Sequence, residues 1–182
     1  MKKSFTSILV LLIFLSINSF AQMKFTFDAG LQLPNGDMKD FLNSGYGGNI
    51  TLDYSLPLLP VSLAFTAGYN KWEYKDGLFI GSYNFYTIPV MAGARFYTGG
   101  LYLGADIGYS FSNASVPGAS SSANLIYSPI IGYRLSLTPV GLVALDLNVR
   151  YWNVSTGVPT PTPTAVSKST WIGLNAGLAL GL

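Results

Sequence analysis

Residues 142–152 place Val143, Leu145, Leu147, Val149 and Tyr151 on one side of a period-two repeat, and Ala144, Asp146, Asn148 and Arg150 on the other. Strict alternation over this length describes a β-strand with one apolar and one polar face. The same pattern returns in segment after segment, and the chain offers no helix to cover the apolar faces. A small soluble barrel cannot hide that much apolar surface inside itself. The arrangement that satisfies every backbone group is a closed barrel turned inside out, with lipid outside and polar groups within.

The N-terminus reads as an export signal. Lys2 and Lys3 form a positive n-region, residues 8–15 are an unbroken apolar run, and Ser19-Phe20-Ala21 puts small residues where a signal peptidase reads them. Cleavage before Gln22 is expected, with residues 1–21 removed and residues 22–182 left as one domain. An N-terminal membrane anchor is disfavoured because the apolar run falls short of the ~20 residues a spanning helix needs. No cysteine lies at the junction to carry a lipid.

Loss of Lys2 and Lys3 takes the formal charge from +2 to zero. That argues against a nucleic-acid partner and leaves no basic patch for anionic lipid. Charged residues make up 10% of the chain against 49% hydrophobic, which is dry for an exported soluble domain. Yet beyond the signal no apolar run reaches the ~18 residues of a spanning helix. The chain has no cysteine, so its stability has to come from a closed hydrogen-bond ladder and not from disulfides.

Taken in order, the alternation predicts eight strands, at residues 24–33, 46–56, 61–72, 83–97, 101–111, 123–137, 142–152 and 170–182. The fold class is all-β, an eight-stranded antiparallel up-and-down transmembrane barrel. The second, fourth and sixth connections are tight (Pro57-Leu58-Leu59-Pro60, Thr98-Gly99-Gly100, Thr138-Pro139-Val140-Gly141). The others are long, at residues 34–45, 73–82, 113–122 and 154–169, the last with a Pro/Thr stretch at 158–163 expected to be extended and solvated. Short periplasmic turns, longer extracellular loops and an even strand count are the asymmetry of bacterial outer-membrane barrels. Pro89 and Pro129 fall inside strands and are expected to mark bulges or kinks.

Outward-facing aromatics sort into two levels. Phe25, Tyr54, Phe96 and Tyr133 lie near the short turns, and Tyr69, Tyr86, Tyr109, Tyr127 and Tyr151 near the long loops. Two aromatic girdles are expected where a barrel crosses both interfaces. A lipocalin-like barrel or a β-sandwich would need polar outward rows, and these rows are apolar.

The export signal, the eight strands, Leu33-Pro34-Asn35-Gly36-Asp37 after the first strand and Ile88-Pro89-Val90 in the fourth resemble the small outer-membrane β-barrel proteins. The particular likeness is to the porin-like "outer membrane protein beta-barrel domain" family, related in architecture to the OmpX and OmpA barrels, and it covers the whole mature chain. The resemblance implies residence in the outer membrane of a Gram-negative bacterium, against outer-membrane lipid. It also implies insertion by the barrel-assembly machinery, which reads an alternating C-terminal strand. Gly173, Leu178, Leu180 and Leu182 would carry that signal, with Leu182 standing where many relatives have Phe.

The inward charges are the candidate site. Asp28, Asp53, Arg95, Asp106, Arg134 and Asp146 fall about three to six residues from the periplasmic ends of their strands. Lys24 lies below them and Arg150 above, so four acids face four bases in one lumen. They form either an ion-pair network that fills a narrow barrel or a proton or ion path. The interior of an eight-stranded barrel is just wide enough for side chains, which favours the filled lumen.

Enzymatic readings are poorly served. The chain has no histidine, which removes the usual nucleophile–base pairs and His-ligated metal, and without cysteine thiolate sites go too. Gly45-Tyr46-Gly47-Gly48 begins a strand and is no phosphate loop. No cofactor is expected. Trp72, Tyr74, Phe79 and Trp152 read as long-loop aromatics that either bind a partner or anchor at the interface. The expected role is structural or interactive, with the long loops offered to an extracellular ligand or protein. The alternative is a narrow porin or small-solute channel.

Overall fold

Strands form wherever the alternation runs: β1 (Met23–Asn35), β2 (Gly45–Ser55), β3 (Val61–Glu73), β4 (Asn84–Thr98), β5 (Leu101–Ala114), β6 (Ser122–Ser136), β7 (Val143–Val154) and β8 (Ser169–Gly181). They belong to a computed structural model that describes residues 23–77, 82–116, 121–139, 141–155 and 168–181. The export signal, Phe79, Leu182 and the Pro/Thr stretch lie outside the described residues. Each strand pairs antiparallel with its sequence neighbours and β8 pairs with β1, closing an up-and-down barrel of eight strands. Both ends of the barrel chain, Met23 and Gly181, sit at the end of the short turns.

The pleat sorts the side chains as the alternation requires. In β5, Leu101, Leu103, Ala105, Ile107 and Tyr109 are exposed while Tyr102, Asp106 and Ser110 between them are buried. Phe27, Ile50, Phe65, Val90 and Leu147 are likewise exposed on other strands, so the outside is the apolar side. An apolar patch of this extent is what a lipid-facing surface presents. No helix among the described residues is long and apolar enough to cross a membrane. The strands, at 11 to 15 residues, meet or exceed the ~9–11 that a tilted span needs.

The expected bulges at the strand prolines are absent. Ala67–Val90 and Asn70–Thr87 keep one register across Pro89, as do Tyr127–Asn153 and Ile130–Arg150 across Pro129. Rungs are lost beside each proline on one flank only, and Pro89 still pairs with Ser110 and Pro129 with Ala105 on the other. A missing N–H removes a hydrogen bond without inserting a residue, and the flanking rungs hold the register.

The first long connection is more ordered than a polar loop. It contains one helical turn, α1 (Met38–Phe41), begun by the Lys39 and Asp40 amides donating to Gly36 and Asp37. Met38 and Leu42, four residues apart and so on one face, are both buried. Leu42 bridges Tyr74, the Asn43 amide donates to the Glu73 carbonyl at 2.9 Å, and the Lys75 amide donates to Phe41 at 2.9 Å. The loop is thereby pinned to the end of β3, over the mouth of the barrel.

Candidate functional site

Six inward charges from five strands meet in one chain of ion pairs. Arg150 Nη1 lies 2.6 Å from Asp106, Asp106 lies 3.6 Å from Arg95 Nη2, and Arg95 Nη1 lies 2.7 Å from Asp53. Asp53 continues to Arg134 Nη2 at 3.0 Å, and Arg134 Nε reaches Asp146 at 3.0 Å. Asp53 stands on β2 and Arg134 on β6, four strands apart around a ring of eight, so the chain crosses the lumen. It alternates acid and base throughout and balances three charges against three.

All six side chains are buried, and buried charge is kept only where pairing and hydrogen bonding answer it. Here Tyr102 donates to Asp146 at 2.8 Å, Thr66 to Asp106 at 3.1 Å, and Arg134 to Thr26 at 3.1 Å. Arg134 also lies over the Tyr97 and Tyr102 rings, at 5.4 and 5.5 Å. Gly132 leaves room for Tyr102 to lie across the strand, since a Cβ there would overlap its ring.

Two of the eight expected charges stand apart from this chain. Lys24 is the register partner of Asp53, but both Asp53 oxygens are already taken by Arg95 and Arg134. Asp28 is buried and accepts from the Asn49 amide at 2.7 Å, its register partner on β2. Among the described residues neither joins an ion pair.

Above the charges runs a ladder of amides. Asn148 donates to Asp146, Asn175 to Asn148 and Gln32 to Asn175, each at 3.0 Å. The Gln32 carbonyl then accepts the Trp72 indole N–H at 3.1 Å. The ladder joins the ion pairs to a third layer, which is apolar. Trp72 meets Trp171 edge-on at 4.9 Å, Trp171 stacks on Trp152 at 5.5 Å, and Phe85 packs against Trp72 at 5.8 Å. Met38 and Leu42 from the pinned loop complete this cluster. Arg150 lies over the Trp152 ring at 5.4 Å and so touches both layers.

Trp72 and Trp152 are therefore not loop aromatics at the lipid interface. They lie on β3 and β7, face the lumen and are buried. The alternation itself carries them inward, since Thr66, Asn70 and Trp72 share one row and Asp146, Arg150 and Trp152 another. The expectation failed by assuming that lumenal positions stay polar to the end of the strand. Tyr74, just beyond β3, is buried as well, and burial pushes its phenol up. Trp171, Gln32, Asn175 and Tyr102 were not singled out from sequence; their only signal is the inward phase of their strands.

The outward aromatics Phe25, Tyr54, Phe96, Tyr133, Tyr69, Tyr86, Tyr109, Tyr127 and Tyr151 all stand on exposed or half-exposed rows, and Tyr69 and Tyr86 stack at 6.3 Å. Of the C-terminal residues, Leu178 and Leu180 point outward, whereas Gly173 faces the lumen beside Gln32 and Trp152. Among the described residues no cluster of His, Cys, Asp and Glu could hold a metal ion.

No protein-family model matches the sequence. No curated protein matches it either. Solved structures do. Neisserial surface protein A superposes with a TM-score of 0.58 at 20% identity, over 88% of this chain and 97% of that one. Ail, the attachment invasion locus protein of Yersinia pestis, gives 0.50 at 13% identity, over 87% and 99%, in a complex with the heparin analogue sucrose octasulfate. The outer membrane protein AlkL, determined in lipid bilayers, gives 0.50 at 13% identity, over 90% and 92%. The chain has the fold of the small eight-stranded outer-membrane β-barrels.

Proposed function

We propose that this chain is an integral outer-membrane protein of a Gram-negative bacterium, exported on its N-terminal signal and inserted by the barrel-assembly machinery. Its barrel is a closed scaffold that presents the long loops outward. The observation that carries this reading is the double closure of the lumen: a septum of ion pairs crosses it toward the short turns, and an aromatic cap fills it toward the long loops. A tube stopped at two levels is suited to holding loops rigidly and poorly suited to passing solutes.

Nothing in the lumen favours catalysis. The six charges of the ion-pair chain are engaged with one another, and the cap separates them from the outside. Contact with a partner falls to the loops, where an extracellular ligand or protein would meet the barrel. The charges at that end are balanced, with Asp37, Asp40, Glu73 and Asp76 against Lys39, Lys71, Lys75 and Lys168. A polysulfated ligand of the kind bound by Ail has no basic field to meet here.

The test is electrical. The barrel, refolded and checked by the mobility shift of unboiled samples on a gel, is placed in a planar bilayer under voltage. Silence is expected. Reproducible ion-selective steps would overturn the closed scaffold in favour of a narrow channel.

A further inference from the structure

The two ends of the barrel differ in charge. Beyond residue 22, every charged residue except Lys24, which is half-buried on an inward row at the short-turn mouth, lies deeper in the lumen or at the long-loop end, and residues 56–60, 98–100 and 136–142 contain none. The short-turn end is apolar instead. Leu58 is fully exposed, and Leu59, Leu137 and Leu142 are 59%, 55% and 50% exposed. At the long-loop end the outward rows finish in polar residues, among them Asn35, Asn84, Asn113 and Asn153. At the short-turn end the outward rows of β2 and β6 pass into their turns through Leu56 and Leu137 without such a break, while that of β4 finishes in Thr98.

Leu58 is also held in a conformation that leucine avoids, with φ at +66°. The other left-handed positions among the described residues are Gly36, Gly77, Gly99 and Gly141. The turn that carries Leu58 is fixed by Pro57 and Pro60, by the Leu56 amide donating to Val61 at 2.9 Å, and by the Tyr97 amide donating to Pro60 at 2.8 Å. A glycine would relieve the strain, yet a large apolar side chain stands there and points away from the protein. Backbone strain kept in place by a rigid surround is a pointer to use.

We propose that the short-turn rim is a lipid anchor, with Leu58 and Leu59 on one side of the barrel and Leu137 and Leu142 on the other inserted into the adjoining leaflet. The occupant is lipid because this apolar surface continues the lipid-facing belt. It is also divided between turns four strands apart, which a single protein groove would not engage together. The inference rests on the reading that the barrel spans a membrane, and the test separates the two.

The chain has no cysteine, so Leu58→Cys, Leu137→Cys, Leu103→Cys in the middle of the belt and Asp76→Cys in a long loop each give one labelling site. The full chain, nitroxide-labelled, is refolded into phosphatidylcholine vesicles, and collision with oxygen is compared with collision with a water-soluble nickel chelate. Positions 58 and 137 are expected to behave as position 103 does, with oxygen collisions exceeding nickel collisions several-fold, while position 76 shows the reverse. If 103 reports lipid and both 58 and 137 report water, the anchor is overturned, and a periplasmic protein becomes the partner for those leucines. If 103 itself reports water, the membrane-spanning reading fails and the anchor with it.

Discussion

The two halves of the lumen are filled by opposite means. Toward the short turns, Asp53, Arg95, Asp106, Arg134, Asp146 and Arg150 occupy it with paired charge. Toward the long loops, Trp72, Trp152, Trp171 and Phe85 occupy it with apolar volume. A charged filling depends on every partner, because one deletion strands another group in a dry environment. An aromatic filling depends on bulk, and a deletion there leaves a cavity into which neighbours can partly relax. The lower half is thus the more specific of the two and the upper the more adaptable, with the amide ladder from Asp146 to Gln32 tying them together.

The sharpest way to break the comparison is Arg134→Ala. It takes from Asp146 its arginine partner and leaves Asp53 with Arg95 alone, and removal of one buried partner costs about 3–5 kcal/mol. The urea midpoint of the refolded barrel should fall clearly, whereas Lys168→Ala, at an exposed site, should leave it in place. Equal midpoints for the two variants would mean that the lower half is not held by charge. Next comes Trp171→Ala, which removes the ring that touches both other tryptophans, for a loss of roughly 3 kcal/mol. Trp171→Phe should recover part of that loss, and failure to recover any would show that bulk is not what matters in the upper half.

Smaller effects sharpen the picture. Tyr102→Phe keeps the ring under Arg134 but removes the hydroxyl bonded to Asp146, and a hydrogen bond to a charged group is worth about 1.5–3 kcal/mol. A midpoint unchanged by this variant would assign the tyrosine to packing alone. The smallest global effect is expected of Met38→Ala, since α1 is one turn and can shift. Its signature is local: faster hydrogen exchange at the Asn43 and Lys75 amides, which pin the loop, with the β6 and β7 ladders unchanged. Slowing or no change at those amides would detach the loop from the cap.

The barrel was legible because period-two alternation determines which side of a strand faces out, and eight alternating segments with short and long connections in turn admit few arrangements. The inward phase of Asp53, Arg95, Asp106, Arg134 and Asp146 was equally legible. Which acid meets which base was not, because strands β2 and β6 meet only across the lumen and no local pattern records that distance. The cap was missed for a different reason. Trp72 and Trp152 obey the same alternation and close the predicted strands 61–72 and 142–152, but their place beside the long loops groups them with the loop aromatics and not with the inward rows. The helical turn at Met38 escaped notice because a segment of four residues has no period to detect, and its burial depends on tryptophans contributed by distant strands.

That the lumen is sealed twice can be tested by opening each seal separately. Single-channel recordings would be made in planar bilayers on the wild-type barrel, on Arg95→Ser, on Trp171→Ala and on the double variant, each confirmed as folded by its unboiled gel mobility. Two seals in series predict that the wild type and both single variants stay silent and that conductance steps appear only in the double variant. Steps in either single variant would show that one layer alone closes the tube, and steps in the wild type would show that neither does.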